Sequence, residues 1–310
     1  MCGRYSTSRR PEELVEDYEI EFTKGDGPGT DLAEAGGEAD FNVAPTKVAP
    51  VVLTRRPRGE PRGAASGDDA DGEPDDESED LAQPDAEERL EPVEPEPVRW
   101  LRGLTWGLVP SWAKDRSVGA RMINARVETL LDKTFRRPAL LRRCLVPADG
   151  WYEWQVSPTE TGARGKPVKQ PFFMRPIVDD APIAFAGIYE FWRDRAAHPD
   201  DPTAWLTTFA VITQPAEPGL TAIHDRMPLV LPQDRWRDWL DPDLQDADSV
   251  RALLAPPVAG RFAAYPVSTR VNAVANNGPE LLEELPREQL RGVLDPVTGE
   301  LIGGGDVPLF

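Results

Sequence analysis

The 310-residue sequence has little cysteine and histidine: only Cys2, Cys144, His198 and His224. Two thiols cannot build a disulfide framework, and four such residues scattered along the chain argue against a zinc site, so no metal is expected. Long hydrophobic runs are also missing. No stretch approaches the 18 or so apolar residues of a membrane-spanning helix, and the start lacks the basic-then-apolar pattern of a secretory leader. The expectation is a cytoplasmic protein in a reducing compartment with no membrane contact. Neither an internal repeat nor a glycine-rich phosphate loop is present, so no organic cofactor is expected. Lysine is scarce, six residues against 29 arginines, a balance that with many carboxylates resembles adaptation to high salt.

What is there supports a folded core. Hydrophobic residues make up 40% of the chain, but the formal net charge of −19 argues against a generally basic, DNA-coating protein. That charge is uneven. Carboxylates crowd the segment from Glu60 to Glu96, which has almost no large apolar side chain and carries most of the net charge. Such a stretch buries too little to offset its ordering entropy, so residues 59–97 read as an acidic disordered insertion within a single domain spanning 1–310. A solvated linker explains its composition more simply than an electrostatic DNA mimic does. A smaller patch, Gly25 to Asp40, reads similarly. By contrast, Lys114 to Arg143 holds nine Lys/Arg against three Asp/Glu, a basic run able to track phosphates, with Trp106 and Trp112 nearby as candidate stacking platforms.

Helices are expected at Pro11–Tyr18, Val127–Leu131, Phe135–Leu141, Gln233–Leu240 and Asp248–Leu254. Strands are expected at Ala49–Thr54, Trp100–Leu108, Cys144–Pro147, Phe172–Arg175, Ile183–Tyr189, Trp205–Thr213 and Ala264–Ser268. The two types alternate without βαβ spacing. This predicts an α+β fold with a mainly antiparallel, partly barrel-like sheet and flanking helices.

Chemistry begins at the N-terminus. Cys2 is small enough to permit removal of Met1, which would leave an α-amine and a thiol on adjacent carbons. An α-amine has a reference pKa of about 7.7–8.0, so much of it is neutral near pH 7.5 and able to attack an aldehyde. The resulting imine lies beside the thiol, and closure to a five-membered thiazolidine is intramolecular. Taken alone, Cys2 reads more simply as a small residue at a frayed end.

Six motifs change that weighting: Cys2-Gly3-Arg4-Tyr5, Asn42-Val43-Ala44-Pro45-Thr46, Trp106-Gly107-Leu108-Val109-Pro110-Ser111-Trp112, Asn124-Ala125-Arg126, Gly150-Trp151-Tyr152-Glu153-Trp154 and His224-Asp225-Arg226-Met227-Pro228. In this order they resemble the SOS-response-associated peptidase family, whose members crosslink to abasic sites in single-stranded DNA. The resemblance implies that Cys2 forms a thiazolidine with the abasic aldehyde. It implies that Asn124 and Arg126 orient the N-terminus and hold a phosphate, that Glu153 and His224 complete the catalytic set, and that Thr213 lies near the reacting sugar. Arg4, Asn42, Pro45 and Trp106 are the further DNA contacts it suggests. Abasic single-stranded DNA is the implied partner of a monomer, with replication or repair proteins as the class of protein partner.

The residue types fit that chemistry. An abasic sugar is mostly a closed hemiacetal, and His224 could protonate its ring oxygen. Glu153, shielded by Trp151 and Trp154, could shuttle protons during imine formation. The competing readings are a surface carboxylate among core aromatics and a structural histidine, with Cys144 a buried strand residue. Three other functions stay open: a thiol peptidase that removes its own Met1, an N-terminal-nucleophile amidohydrolase, and a non-catalytic reader of modified DNA.

Overall fold

A computed structural model describes residues 2–21, 38–56, 95–178, 182–198, 200–255 and 259–303. In chain order its strands are β1 Tyr5–Thr7, β2 Asp40–Val43, β3 Val48–Arg55, β4 Val98–Trp106, β5 Asn124–Arg126, β6 Arg143–Ala148, β7 Gly150–Thr161 and β8 Pro167–Pro176. They continue with β9 Ile183–Arg193, β10 Trp205–Pro215, β11 Arg226–Pro228, β12 Val230–Leu231, β13 Phe262–Pro266, β14 Val293–Leu294 and β15 Leu301–Ile302. The α-helices are α1 Pro11–Asp17, α2 Lys133–Leu141, α3 Trp236–Leu240 and α4 Ala247–Leu253.

Five strands close on themselves. The order β10-β4-β3-β6-β9 is completed by a β9–β10 pairing, so the ring has no free edge. A second sheet runs β13-β8-β7-β1-β2. All pairings among these strands are antiparallel except those of β10 with β4 and β5. The expected α+β, mainly antiparallel and partly barrel-like fold is therefore what forms.

The strands obey local chemistry. Pro50 and Pro147 sit where β3 and β6 have a neighbour on one side only, so neither missing N–H breaks a ladder. Alternate residues of the ring strands, among them Val51, Leu104, Cys144, Phe185 and Phe209, gather with Cys2, Tyr5 and Trp151 from the second sheet. The packing there is close: a Cβ on Gly187 would lie 2.8 Å from Cys144 Sγ. Cys144 is thus a core residue with a thiol pushed above its usual range by burial. The opposite positions, including Val52, Leu145, Ile188 and Ile212, lie against Leu14 of α1 and Trp236 and Trp239 of α3. Arg143 ties the helices to the barrel: it is buried, donates to the carbonyls of Ala139, Leu140, Trp239 and Asp241, and is pushed down to about 10 by desolvation.

Several expected boundaries shift. Val127–Leu131 is not an α-helix; only a 3-10 turn forms at Val127–Thr129. The second strand begins at Val98 and ends at Trp106, and the last predicted strand spans Phe262–Pro266. Helix α2 runs through Pro138 at the loss of one hydrogen bond. Most of the acidic segment 59–97 and of the Gly25–Asp40 patch lies outside the described residues. Their flanks are informative: Arg55 and Val98 are paired partners at the ends of β3 and β4, so residues 56–97 form the connection of an antiparallel hairpin.

That connection should be replaceable. Substituting residues 57–94 by a four-residue Gly-containing turn shortens the hairpin loop about fivefold and should stabilise the fold by about 1.5 kcal/mol through loop-closure entropy. The expected result is a cooperative thermal transition whose midpoint rises by several degrees. A lost or broadened transition would mean that the segment contributes packing.

Candidate active site

Strand β1 carries the N-terminus into the core. Tyr5 pairs with Trp151, and Arg4 O accepts the Tyr152 N–H at 3.0 Å, so the antiparallel register leads the first residues along β7 toward Glu153. Cys2 is completely buried, and its carbonyl accepts a hydrogen bond from Asn124 Nδ2 at 2.8 Å. Asn124 is fixed in turn by β5, which pairs in parallel with β10, Asn124 opposite Val211. Burial pushes the Cys2 thiol well above its usual range, and the negative charge of Glu153 pushes it further. The thiol is therefore protonated at neutral pH.

Glu153 shares a face of β7 with Trp151, because strand side chains alternate. It is 2% exposed, and its carboxyl is pushed up to about 7, first by burial and then by Asp225. Both protonation states are accessible near neutrality, as a proton carrier needs.

His224 closes the other side, its Nε2 4.0 Å from Glu153 Oε2. Its Nδ1 accepts the Arg226 amide N–H at 3.0 Å, which leaves the proton of the neutral ring on Nε2, toward Glu153. Asp225 Oδ1 lies 2.9 Å from the same Nδ1 and can accept its proton when the ring is charged. Burial lowers the His224 pKa and Asp225 opposes it. A separation of 4.0 Å is too long for a direct hydrogen bond and can be bridged by one oxygen atom.

Cys2, Asn124, Glu153 and His224 thus converge. Arg126 and Thr213 are register partners on β5 and β10, two residues beyond the Asn124–Val211 pair. Thr213 is buried, and Arg226 Nη2 donates to its carbonyl at 2.7 Å and lies 3.4 Å from its hydroxyl. The same guanidinium pairs with both carboxylate oxygens of Glu128, holding that carboxyl below its usual range. Arg226 was missed as a site residue by the sequence reading, although it lies inside the histidine motif; an arginine two residues after the histidine was the available signal.

The remaining expected DNA contacts divide. Asn42 is fully buried, with Nδ2 on the carbonyls of Val271, Ala273 and Asn276, and Oδ1 accepting Arg4 Nη1 at 2.7 Å. Arg4 is half-buried and also donates to Val271 O. Trp106 is fully buried between Tyr5 and Phe209, with Nε1 donating to Ile123 O at 2.9 Å. No base can stack on its ring in this conformation; the exposed aromatic nearby in the chain is Trp112, at 62%. Pro45 is half-exposed. A cleft of about 350 Å³ is bounded by Thr46, Trp106, Gly107, Arg116 and Gly119. Of the basic run, Lys114, Arg116, Arg121, Arg126, Lys133 and Arg137 are exposed and form no ion pair among the described residues. Arg142 pairs with Glu190, and Arg143 is internal. No group of three or more His, Cys, Asp or Glu side chains that could hold a metal occurs among the described residues.

The family model for SOS response associated peptidase (SRAP) matches residues 1–274. Similar curated proteins include the abasic site processing protein YoaM of Bacillus subtilis, 40% identical over 184 residues that make up 59% of this chain and 75% of that protein. The abasic site processing protein YedK of Escherichia coli is 32% identical over 186 residues, 59% of this chain and 74% of that protein. The abasic site processing protein HMCES of Gallus gallus is 33% identical over 211 residues, covering 59% and 57% of the two chains. Among solved structures, a Bacteroides thetaiotaomicron protein superimposes with a TM-score of 0.61 at 21% identity, covering 92% of this chain and all of its own, which speaks to the fold.

The burial of Glu153 has a measurable signature. Between the usual 4.5 and the native value of about 7, the folded protein holds a proton that the unfolded chain has released. Wild-type stability should therefore fall as pH rises through that window. Glu153→Gln lacks this dependence, so from pH 4.5 to pH 8 it should gain up to about 3 kcal/mol relative to wild type in urea unfolding. A pH-independent difference would mean that Glu153 titrates normally.

Proposed function

Because this chain belongs to the SOS response associated peptidase family, we propose that it processes abasic sites in single-stranded DNA by covalent capture through Cys2. The names of its curated relatives support the abasic-site reading. The observation that carries the chemistry is the Asn124 hydrogen bond to Cys2 O, which fixes the first residues beside Glu153 and His224.

The steps follow from these groups. His224 in its imidazolium form gives its Nε2 proton to the ring oxygen of the closed sugar while the Glu153 carboxylate takes the proton of the anomeric hydroxyl, and the C1′ aldehyde opens. Once Met1 has been removed, the neutral Cys2 amine adds to that carbon and forms the C–N bond of a carbinolamine. Protonated Glu153 gives its proton to the departing hydroxyl, water leaves, and an iminium results. The Cys2 thiol then adds to the iminium carbon, forming the C–S bond, and its proton passes to Glu153. The sum is aldehyde plus aminothiol giving thiazolidine plus one water, with no external redox partner. A thiol held protonated suits this order, since the amine attacks first.

The same thiol argues against the peptidase alternative, which needs a thiolate nucleophile. Phosphate binding falls to the unpaired exposed cations and Arg126, with Trp112 the aromatic available for stacking. In this reading Asn42 and Arg4 shape the face by clamping residues 271–276, and Trp106 supports the cleft wall from within. Thr213, held by Arg226, lines the sugar site.

Intact-mass analysis with an abasic oligonucleotide tests the mechanism. Wild type should lose Met1 and gain one oligonucleotide minus water. Cys2→Ala keeps an amine but no thiol, so its adduct should be trapped by borohydride and lost without it. An unprocessed extra N-terminal residue should abolish the stable adduct while leaving the thiol in place. A stable cyclic adduct from the extended chain would overturn the thiazolidine route. A peptidase would lose all chemistry in Cys2→Ala, and a reader would give no adduct in wild type.

The ring-opening role of His224 has its own readout. His224→Ala should slow capture of the abasic sugar by about 100-fold but slow reaction with propanal, which has no ring to open, much less. Equal losses on both aldehydes would assign His224 to a different step.

A further inference from the structure

Two residues beyond Glu153, on the same face of β7, Gln155 is 2% exposed and fully hydrogen-bonded. Its Nε2 donates to Ala222 O at 3.1 Å and to Leu294 O at 2.8 Å, while its Oε1 accepts the Leu294 N–H at 2.8 Å. Ala222 lies in the turn that ends at His224, and Leu220 and Ile223 of that turn are buried in the same cluster as Leu290 and Val293. Farther along β7, Ser157 Oγ donates to Gly292 O at 2.6 Å, a second tie to the C-terminal segment. Gly292 has φ +57, and a Cβ there would lie 2.5 Å from Ser157 Oγ, so the approach requires glycine. The strand that carries Glu153 is therefore bonded through one amide to both the His224 turn and the β14–β15 hairpin. That hairpin lies beyond residue 274, where the family match ends.

We propose that Gln155 is a positioning residue: braced by the C-terminal hairpin, it sets the His224 turn at the distance from Glu153 that opening of the sugar ring requires. The inference rests on the role of His224 given above. Its physical basis is that a buried amide has no water with which to exchange partners. Removing it leaves the Ala222 and Leu294 carbonyls and the Leu294 N–H without their partner, and the turn relaxes to satisfy them. Proton transfer is sensitive to such movement, and a displacement of about 1 Å can cost up to about 100-fold.

The test compares the abasic oligonucleotide with propanal, using full-length protein processed to Cys2. Gln155→Met preserves length and removes all three hydrogen bonds. Capture of the abasic sugar should fall about tenfold, reaction with propanal should stay within twofold, and the change should add nothing in a His224→Ala background. Gln155→Glu is the isosteric control. Its carboxyl regains one donor when protonated, so its deficit relative to wild type should shrink between pH 8 and pH 5 while that of Gln155→Met does not. If Gln155→Met fails to melt cooperatively, Gln155→Glu carries the same two-aldehyde comparison. Equal losses on both aldehydes, or an additive loss on top of His224→Ala, would overturn the positioning role while leaving capture through Cys2 intact. Absence of any wild-type adduct would instead sink the capture reading and this inference with it.

Discussion

The antiparallel pairing of β1 with β7 is the constraint on which the site depends. A chain terminus is ordinarily frayed and solvated. Here Tyr5 packs edge-on to Trp106 and Phe185, and the register delivers Cys2 into a fully buried position beside Glu153. The burial of each group is the first cause of the electrostatics of the site. It keeps the thiol protonated, lifts the carboxyl to about 7 and lowers the imidazole, so that none of the groups is locked in a charged form at neutral pH. The closed ring of strands supplies the rigid wall, with β5 fastened to β10 so that Asn124 reaches the Cys2 carbonyl.

Charge is divided in a way that the net value hides. The chain carries −19 overall, yet the run from Lys114 to Arg137 presents exposed cations that form no ion pair among the described residues. Arg226 behaves differently. Its guanidinium is occupied by Glu128 and the Thr213 carbonyl, which makes it a tie between the 3-10 turn after β5 and the end of β10. Cations of the same type thus serve two ends, and only burial and partners distinguish them.

Much of this was legible in the sequence, in uneven portions. The α+β architecture and the long strands followed from apolar runs such as Ala49–Thr54 and Ile183–Tyr189, and the four residues that converge were all found from motifs. Strand β7 was not seen as a strand, because both of its faces are buried over Gly150–Glu153 and no polar alternation remains to betray it. Strand β5 has three residues, two of them polar, and exists only through pairing with residues 211–213, which no local signal encodes. Trp106 looked like a stacking platform because it adjoins a basic run, whereas tertiary packing on Tyr5 and Phe209 uses its ring. The C-terminal hairpin gave no signal, since its value lies in contacts with β7 that are remote in sequence.

The distance along the chain between Cys2 and its surroundings imposes an order in time. During synthesis the N-terminus emerges first, but β7 is complete only at residue 161 and His224 comes later still. At about 5–20 residues per second, the first residues stay solvent-exposed for roughly ten seconds or more before their wall exists. The proposed mechanism requires that Met1 be removed, and in that interval the first residues are still open to an aminopeptidase. The pairing of β1 with β7 ends that interval, because it carries Cys2 into a fully buried position.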